Sequence, residues 1–213
     1  VKTPAVKQTA PSRKKISLGL VAGVDVSTVK FRYASEMGYN FGLLGGYHFS
    51  NRWSFHTGVI YTKKNYKMDG ADFTAPKGSP ASYWSLKTVE GYCHMWEVPL
   101  LVRYSFGNKV NRRFFASTGF SSYFMTRENY DYYYPSPVTG QIVMRNGSYY
   151  SGNTHLLSIA HLSAGFEQPV GRNLSMQFEP YAKIPLAGVG VGSVKLSSFG
   201  FNVTLQYRQS KRK

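Results

Sequence analysis

Cysteine is nearly missing from this 213-residue chain: Cys93 stands alone, which excludes an internal disulfide framework and a cysteine metal cluster. Charged residues are scarce at 17%, and acids are scarcest, with 10 Asp and Glu against 26 Lys and Arg. No apolar run reaches the length that a membrane helix needs, and mean hydropathy is −0.31. That excludes a transmembrane helix but not a transmembrane barrel, whose alternating strands average out on such a scale. Helical periodicity is almost absent too. What remains is rich in aromatics, 16% of residues with 17 Tyr and 14 Phe, and in Gly at 21. This mixture predicts an all-β chain of aromatic strands punctuated by Gly turns.

The formal charge of +16 first suggests a nucleic-acid partner. Its distribution argues against one. Lys2, Lys7, Arg13, Lys14 and Lys15 lead the chain, Arg208, Lys211, Arg212 and Lys213 close it, and no zinc, helix-turn-helix or RNA-binding signature accompanies them. Residues 1–14 lack periodicity and read as a linker or tail ahead of a barrel over 15–208, with a basic tail at 209–213. The start at Val1 without a signal peptide is expected of a mature product or a fragment.

The clearest pattern is 96–106, WEVPLLVRYSF. On a two-residue period Trp96, Val98, Leu100, Val102, Tyr104 and Phe106 share one face, while Glu97, Pro99, Leu101, Arg103 and Ser105 share the other. Most of the chain repeats it. Ile16, Leu18, Leu20, Val24 and Val26 alternate with Ser17, Gly19, Gly23, Asp25 and Ser27. Tyr39, Phe41, Leu43, Tyr47 and Phe49 alternate with Asn40, Gly42, Gly46 and His48, and Trp53 to Tyr61 alternates with Ser54, His56, Gly58, Thr62 and Lys64. Stretches 114–124, 156–166, 174–184 and 196–208 follow suit, with Phe115 and Tyr123 disturbing the first of them. About eight strands result, joined by connections that alternate between short turns and longer loops, the longest at 66–90 and 128–152.

The polar face separates a soluble barrel from a membrane one. A water-facing surface would carry many Lys, Glu and Thr; this face is mostly Gly and Ser with isolated charges. A barrel of about eight strands has a lumen just filled by side chains, so small residues there are a steric need. The expected fold is therefore an antiparallel up-and-down transmembrane β-barrel of eight strands, apolar outside and polar inside. Short turns and both termini fall on one side, where Tyr47, Phe49, Trp53, Tyr104, Phe106, Phe166 and Tyr207 would form an aromatic belt.

The segments GLVAGVDVSTVKF, GLLGGYHFSNRWSFHTGVIYTKKNYK, WEVPLLVRYSF, FFASTGFSSYFM and, most specifically, EPYAKIPLAGVGVGSVKLSSFG resemble the small outer-membrane β-barrel (porin-family) proteins of Bacteroidota. Some of that group are similar to the C-terminal barrel of dual membrane-spanning anti-sigma factors. The resemblance implies a Gram-negative outer membrane, periplasmic termini and a role as envelope anchor or sensing module. It also implies a barrel assembly signal at Ser198, Gly200, Val203, Leu205 and Tyr207, although basic residues follow where many barrels end on the aromatic.

Asp25, Glu97, Arg103, Glu167, Glu179 and Lys183 are expected to form a polar network that fills the lumen rather than a catalytic set. Five scattered His lack metal-ligand spacing, so no metal or cofactor is expected. His155 with Ser151 or Ser158 is the one local set that would suit a lipid-acting enzyme, and no enzyme activity is expected of the chain. Lys63, Lys64 and Lys67 are candidate lipopolysaccharide contacts. The Tyr-rich loops 66–90 and 128–152 suit a protein partner or a lid. Outer-membrane lipid and the barrel assembly machinery are the other expected partners, and a small porin or adhesin is the alternative function.

Overall fold

The computed structural model describes residues 16–109, 112–150 and 152–208. The expected linker at 1–14, the tail at 209–213 and Ser151 lie outside them. The described chain forms β1 (Ile16–Val29), β2 (Gly38–His48), β3 (Trp53–Asp69), β4 (Thr88–Lys109), β5 (Arg112–Pro135), β6 (Ile142–Tyr149), β7 (Thr154–Pro169), β8 (Leu174–Pro185) and β9 (Leu196–Tyr207). All pair antiparallel with their neighbours, and a ring of 8 closes where Leu18 of β1 meets Tyr207 of β9. Among the described residues β6 is outside the ring, hydrogen-bonded to β5 alone.

Strand lengths differ sharply. β2 and β8, at 11 and 12 residues, are long enough to cross a membrane and little more. β4 and β5 reach 22 and 24 residues. On β4 the part from Thr88 to Met95 continues past the apolar face, which at about 3.3 Å per residue and a tilt near 40° carries the sheet about 20 Å beyond the bilayer. The expected loops 66–90 and 128–152 are therefore mostly strand. Only 70–87 connects β3 to β4, and β5 and β6 form a hairpin around 136–141. Their period is masked because Tyr130, Tyr132 and Tyr134 point inward while Tyr133 points outward, so one residue type sits on both faces.

The two faces exchange chemistry along the same strands. Nearer the short turns, Trp96, Leu100, Val102 and Phe106 of β4 are exposed and Glu97, Leu101 and Arg103 are buried. Beyond Trp96 the order inverts: Val89, Cys93 and Met95 turn inward, while Thr88, Glu90, Tyr92 and His94 occupy the outward positions. β3 does the same, with Tyr66 and Met68 inward of Asn65, Lys67 and Asp69. Hydrocarbon outside requires apolar side chains there, and water outside requires them within. The inversion marks where the membrane ends.

Rings from Trp53 through Tyr104, Phe106 and Phe114 to Phe166 stand 4.8 to 6.4 Å from their neighbours near the short-turn rim, as an aromatic belt requires, and Phe178 and Phe201 continue the line up the wall. At the other end, Tyr66, Met68, Phe73, Val89, Met95, Tyr130 and Tyr132 build the apolar core, closed by 70–87 and 186–195. Thr74 N–H donates to the Gly192 carbonyl at 3.1 Å and ties these two connections together.

Candidate functional site

Among the described residues, three buried Lys or Arg ion pairs hold the lumen. Lys64 Nζ lies 2.6 Å from Asp25, Lys183 Nζ 2.6 Å from Glu97, and Arg103 Nη2 2.8 Å from Glu179. Inward alternation of β1, β3, β4 and β8 places them, and the barrel's closure brings residues far apart in sequence into contact. Hydroxyls and amides supply the remaining partners. Ser27 and Tyr181 donate to Asp25 at 2.7 and 2.8 Å, and Lys64 also donates to Ser198 at 2.8 Å. Ser121 donates to Glu97 at 2.7 Å, while Arg103 donates to Ser117 and Gln177, each at 2.8 Å. Arg103 also lies 3.8 Å from the Phe115 ring centroid, so the residue that disturbed the pattern belongs inside. Buried charges need such partners on every side to be tolerated.

Asp25, Glu97, Arg103, Glu179 and Lys183 all lie buried in the lumen, where Glu97 pairs with Lys183 and Arg103 with Glu179, while Asp25 pairs with Lys64 instead. Glu167 does not join them; it lies toward the short-turn rim, 3.9 Å from Arg208. Lys64 corrects its assignment as a lipopolysaccharide contact, because its side chain is 0% exposed and completes the lumen network. Its even position in β3, shared with Ser54, His56 and Thr62, was the signal, and the flanking Lys63 and Lys67 obscured it. Lys67 does face outward, paired with Glu90 at 2.7 Å, and Lys63 lies over the Tyr92 ring. Of the β9 residues, Ser198 points into the lumen, Gly200 lets the Tyr181 ring pass where a Cβ would collide, and Leu205 and Tyr207 are exposed.

Glu128, buried at the loop end, eluded the alternation pattern. Its carboxylate accepts the Tyr130 hydroxyl at 2.5 Å and the Val191 N–H at 2.9 Å, while His155 Nε2 accepts the Gly190 N–H at 2.9 Å. These acceptors clamp the 186–195 connection over the lumen. Ser158 donates to the His155 backbone carbonyl rather than to the imidazole, so the two do not form a nucleophile and base pair. Among the described residues no group of three or more His, Cys, Asp or Glu is placed to hold a metal ion.

An eight-stranded ring with this inside-out polarity defines the class of small outer-membrane β-barrels. Residues 7–183 match the outer membrane protein beta-barrel domain family, and the chain belongs to it. Family membership places it in the outer membrane of a Gram-negative bacterium. No curated protein matches it. Among solved structures it is similar to Neisserial surface protein A, with 12% identity, a TM-score of 0.52, and 93% of this chain and 99% of that one covered. Ail, the attachment invasion locus protein of Yersinia pestis, aligns at 11% identity and a TM-score of 0.45 over 90% of this chain and 97% of that one. The outer membrane protein OprG from Pseudomonas aeruginosa aligns at 8% and 0.42 over 94% and 99%.

Proposed function

We propose that the protein is a non-enzymatic, non-conducting outer-membrane barrel that presents its loop-end sheet to a partner outside the cell. The observation that carries this is the lumen: Glu97–Lys183 and Arg103–Glu179 block it at membrane depth, Asp25–Lys64 blocks it at the loop-side boundary, and a lid clamped by Glu128 and His155 covers it. A porin needs an open path, and this barrel has a packed one. Planar-bilayer recording tests it: near-zero conductance supports the proposal, and steady channels at neutral pH would favour the porin alternative.

The platform is the sheet of β3, β4, β5 and β6, whose last strand β6 has an edge unpaired among the described residues, with Ile142 and Met144 exposed. Such edges accept an added strand. Ile16 and Arg208, the ends of the described chain, lie with the short turns, so loops facing outward would put them on the periplasmic side; protease shaving of intact cells should cut 136–141 and leave the short turns intact. β9 would be read by the assembly machinery through Ser198, Gly200, Val203, Leu205 and Tyr207. The narrower role, as the barrel of a dual membrane-spanning anti-sigma regulator, is supported by the resemblance of EPYAKIPLAGVGVGSVKLSSFG alone. An inner-membrane helix encoded upstream of Val1 would favour it, and a plain signal peptide would favour an isolated barrel.

A further inference from the structure

On the outer wall, cross-strand register arranges β2 to β5 in rows whose chemistry changes in one direction. Phe41, Tyr61, Trp96 and Phe124 are successive neighbours and form the last apolar row. The next row toward the loop end reads Tyr39, Lys63, His94 and Arg127. Beyond it come Asn65, Tyr92 and Asn129, then Lys67, Glu90 and Asp131. Rows follow one another at about 7 Å, two residues of strand rise.

The cationic row is built by a bulge. Register between β4 and β5 shifts at His94/Met95, so Thr126 becomes an extra residue and Arg127 faces outward beside His94. Thr126 donates to the His94 carbonyl at 2.8 Å and fixes the shift. Without it, Arg127 would alternate inward. His94 Nδ1 is engaged by the Tyr61 hydroxyl at 2.7 Å, which leaves Nε2 for a ligand. Lys63 and Arg127 meet no carboxylate among the described residues. Two cations beside one imidazole repel each other, and an anion between them would relieve this.

The next two rows wall a cleft of about 390 Å³ that Glu36 of the 30–37 connection closes from the other side. Asn65, Asn129, Glu90 and Asp131 keep amide and carboxylate atoms suited to hydroxyls beyond the bonds they make to Met37, Arg127, Lys67 and Asn146. Glu36, Glu90 and Asp131 against Lys67 leave the cleft net negative, which disfavours phosphate. Outward along the wall, the order is hydrocarbon, aromatic, cation, hydroxyl-binding cleft. We propose that this wall binds a phosphorylated glycolipid of the outer leaflet: acyl chains along the apolar rows, phosphate on Lys63, His94 and Arg127, sugar in the cleft. The site replaces the grouping of Lys63, Lys64 and Lys67 with one that the register assembles. Burial, Lys63 and Arg127 hold the His94 imidazole below its ordinary value, and a bound phosphate would raise it again.

The inference rests on loops that face the cell exterior, but binding in detergent micelles is independent of orientation and conductance, so either idea can fail alone. Purified rough lipopolysaccharide, its dephosphorylated form, phosphatidylglycerol and inorganic phosphate would be titrated against the protein by native mass spectrometry. Lipopolysaccharide should bind at least tenfold tighter than the other three. A Lys63→Gln/Arg127→Gln double variant should lose that tenfold, while the charge-matched Lys77→Gln/Lys87→Gln pair keeps it. Asn65→Ala/Asp131→Ala should weaken lipopolysaccharide but leave phosphatidylglycerol unchanged. Equal loss in the Lys63/Arg127 and Lys77/Lys87 double variants would reduce the site to general charge and overturn the proposal. Phosphatidylglycerol binding as tightly as lipopolysaccharide, or displacement by millimolar phosphate, would overturn it too. Every substituted side chain faces outward, and a boiling-dependent gel shift checks that each variant folds.

Discussion

Lys63 and Lys64 are adjacent in sequence and opposite in environment, which makes them a paired test. Lys64→Met removes the cation bonded to Asp25 and Ser198 and leaves the Asp25 carboxylate buried, with Ser27 and Tyr181 as its remaining donors among the described residues. Stranding a buried charge in this way costs about 3–5 kcal/mol. That is roughly a hundredfold to a few thousandfold in the folded-to-unfolded ratio. Lys63→Met alters an outward side chain over the Tyr92 ring and should change stability by less than about 0.5 kcal/mol. The double variant Asp25→Asn/Lys64→Met removes both charges and should be more stable than Lys64→Met alone, the sign expected of a coupled pair. Urea unfolding in lipid vesicles, followed by tryptophan fluorescence, reads all three. Equal midpoints for Lys63→Met and Lys64→Met would refute the inward placement of Lys64, whatever their size.

Glu97→Ala strips Lys183 and Ser121 of their acceptor and should lower the urea midpoint by a similar amount, about 3–5 kcal/mol; an unchanged midpoint would contradict a packed lumen. Gly190 adopts φ +73° and its added Cβ would meet the Glu128 carboxylate, so Gly190→Ala should cost about 1 kcal/mol or more and speed hydrogen exchange at Val191. His155 precedes the apolar part of β7, and burial, partly opposed by Glu128, holds its imidazole below the ordinary 6.5. The fold favours the neutral ring that accepts from Gly190, so this contribution is complete above about pH 6.5 and fades as pH falls through the lowered value. Gly190 protection, corrected for intrinsic exchange, should therefore drop as the pH is taken progressively below 6.5; constant protection would show that His155 does not hold the lid.

Much of the membrane-level barrel was legible because lipid outside and a narrow lumen inside leave one solution per strand. Residues 96–106 state it fully: Glu97 and Arg103 both turn inward, the first to meet Lys183 and the second Glu179. Legibility failed where the solvent changes. Past Trp96 the same alternation continues with its meaning reversed, and Tyr on both faces of 130–134 conceals even the period. Lys64 sits at that boundary, inside by parity but grouped by charge with outward neighbours. The extra residue at Thr126 depends on pairing between two strands, so nothing local in the sequence marks that Arg127 turns out beside His94.

Collision mapping along β4 tests most directly which face meets lipid. In a Cys93→Ala background, single cysteines at 98, 99, 100, 101 and 102 would carry spin labels in bilayers. Labels at Val98, Leu100 and Val102 should relax strongly with dissolved oxygen, and those at Pro99 and Leu101 should be shielded from it, since the first set lies outward and the second is buried. The reverse order, or no two-residue alternation, would contradict a barrel that is apolar outside and salt-bridged within.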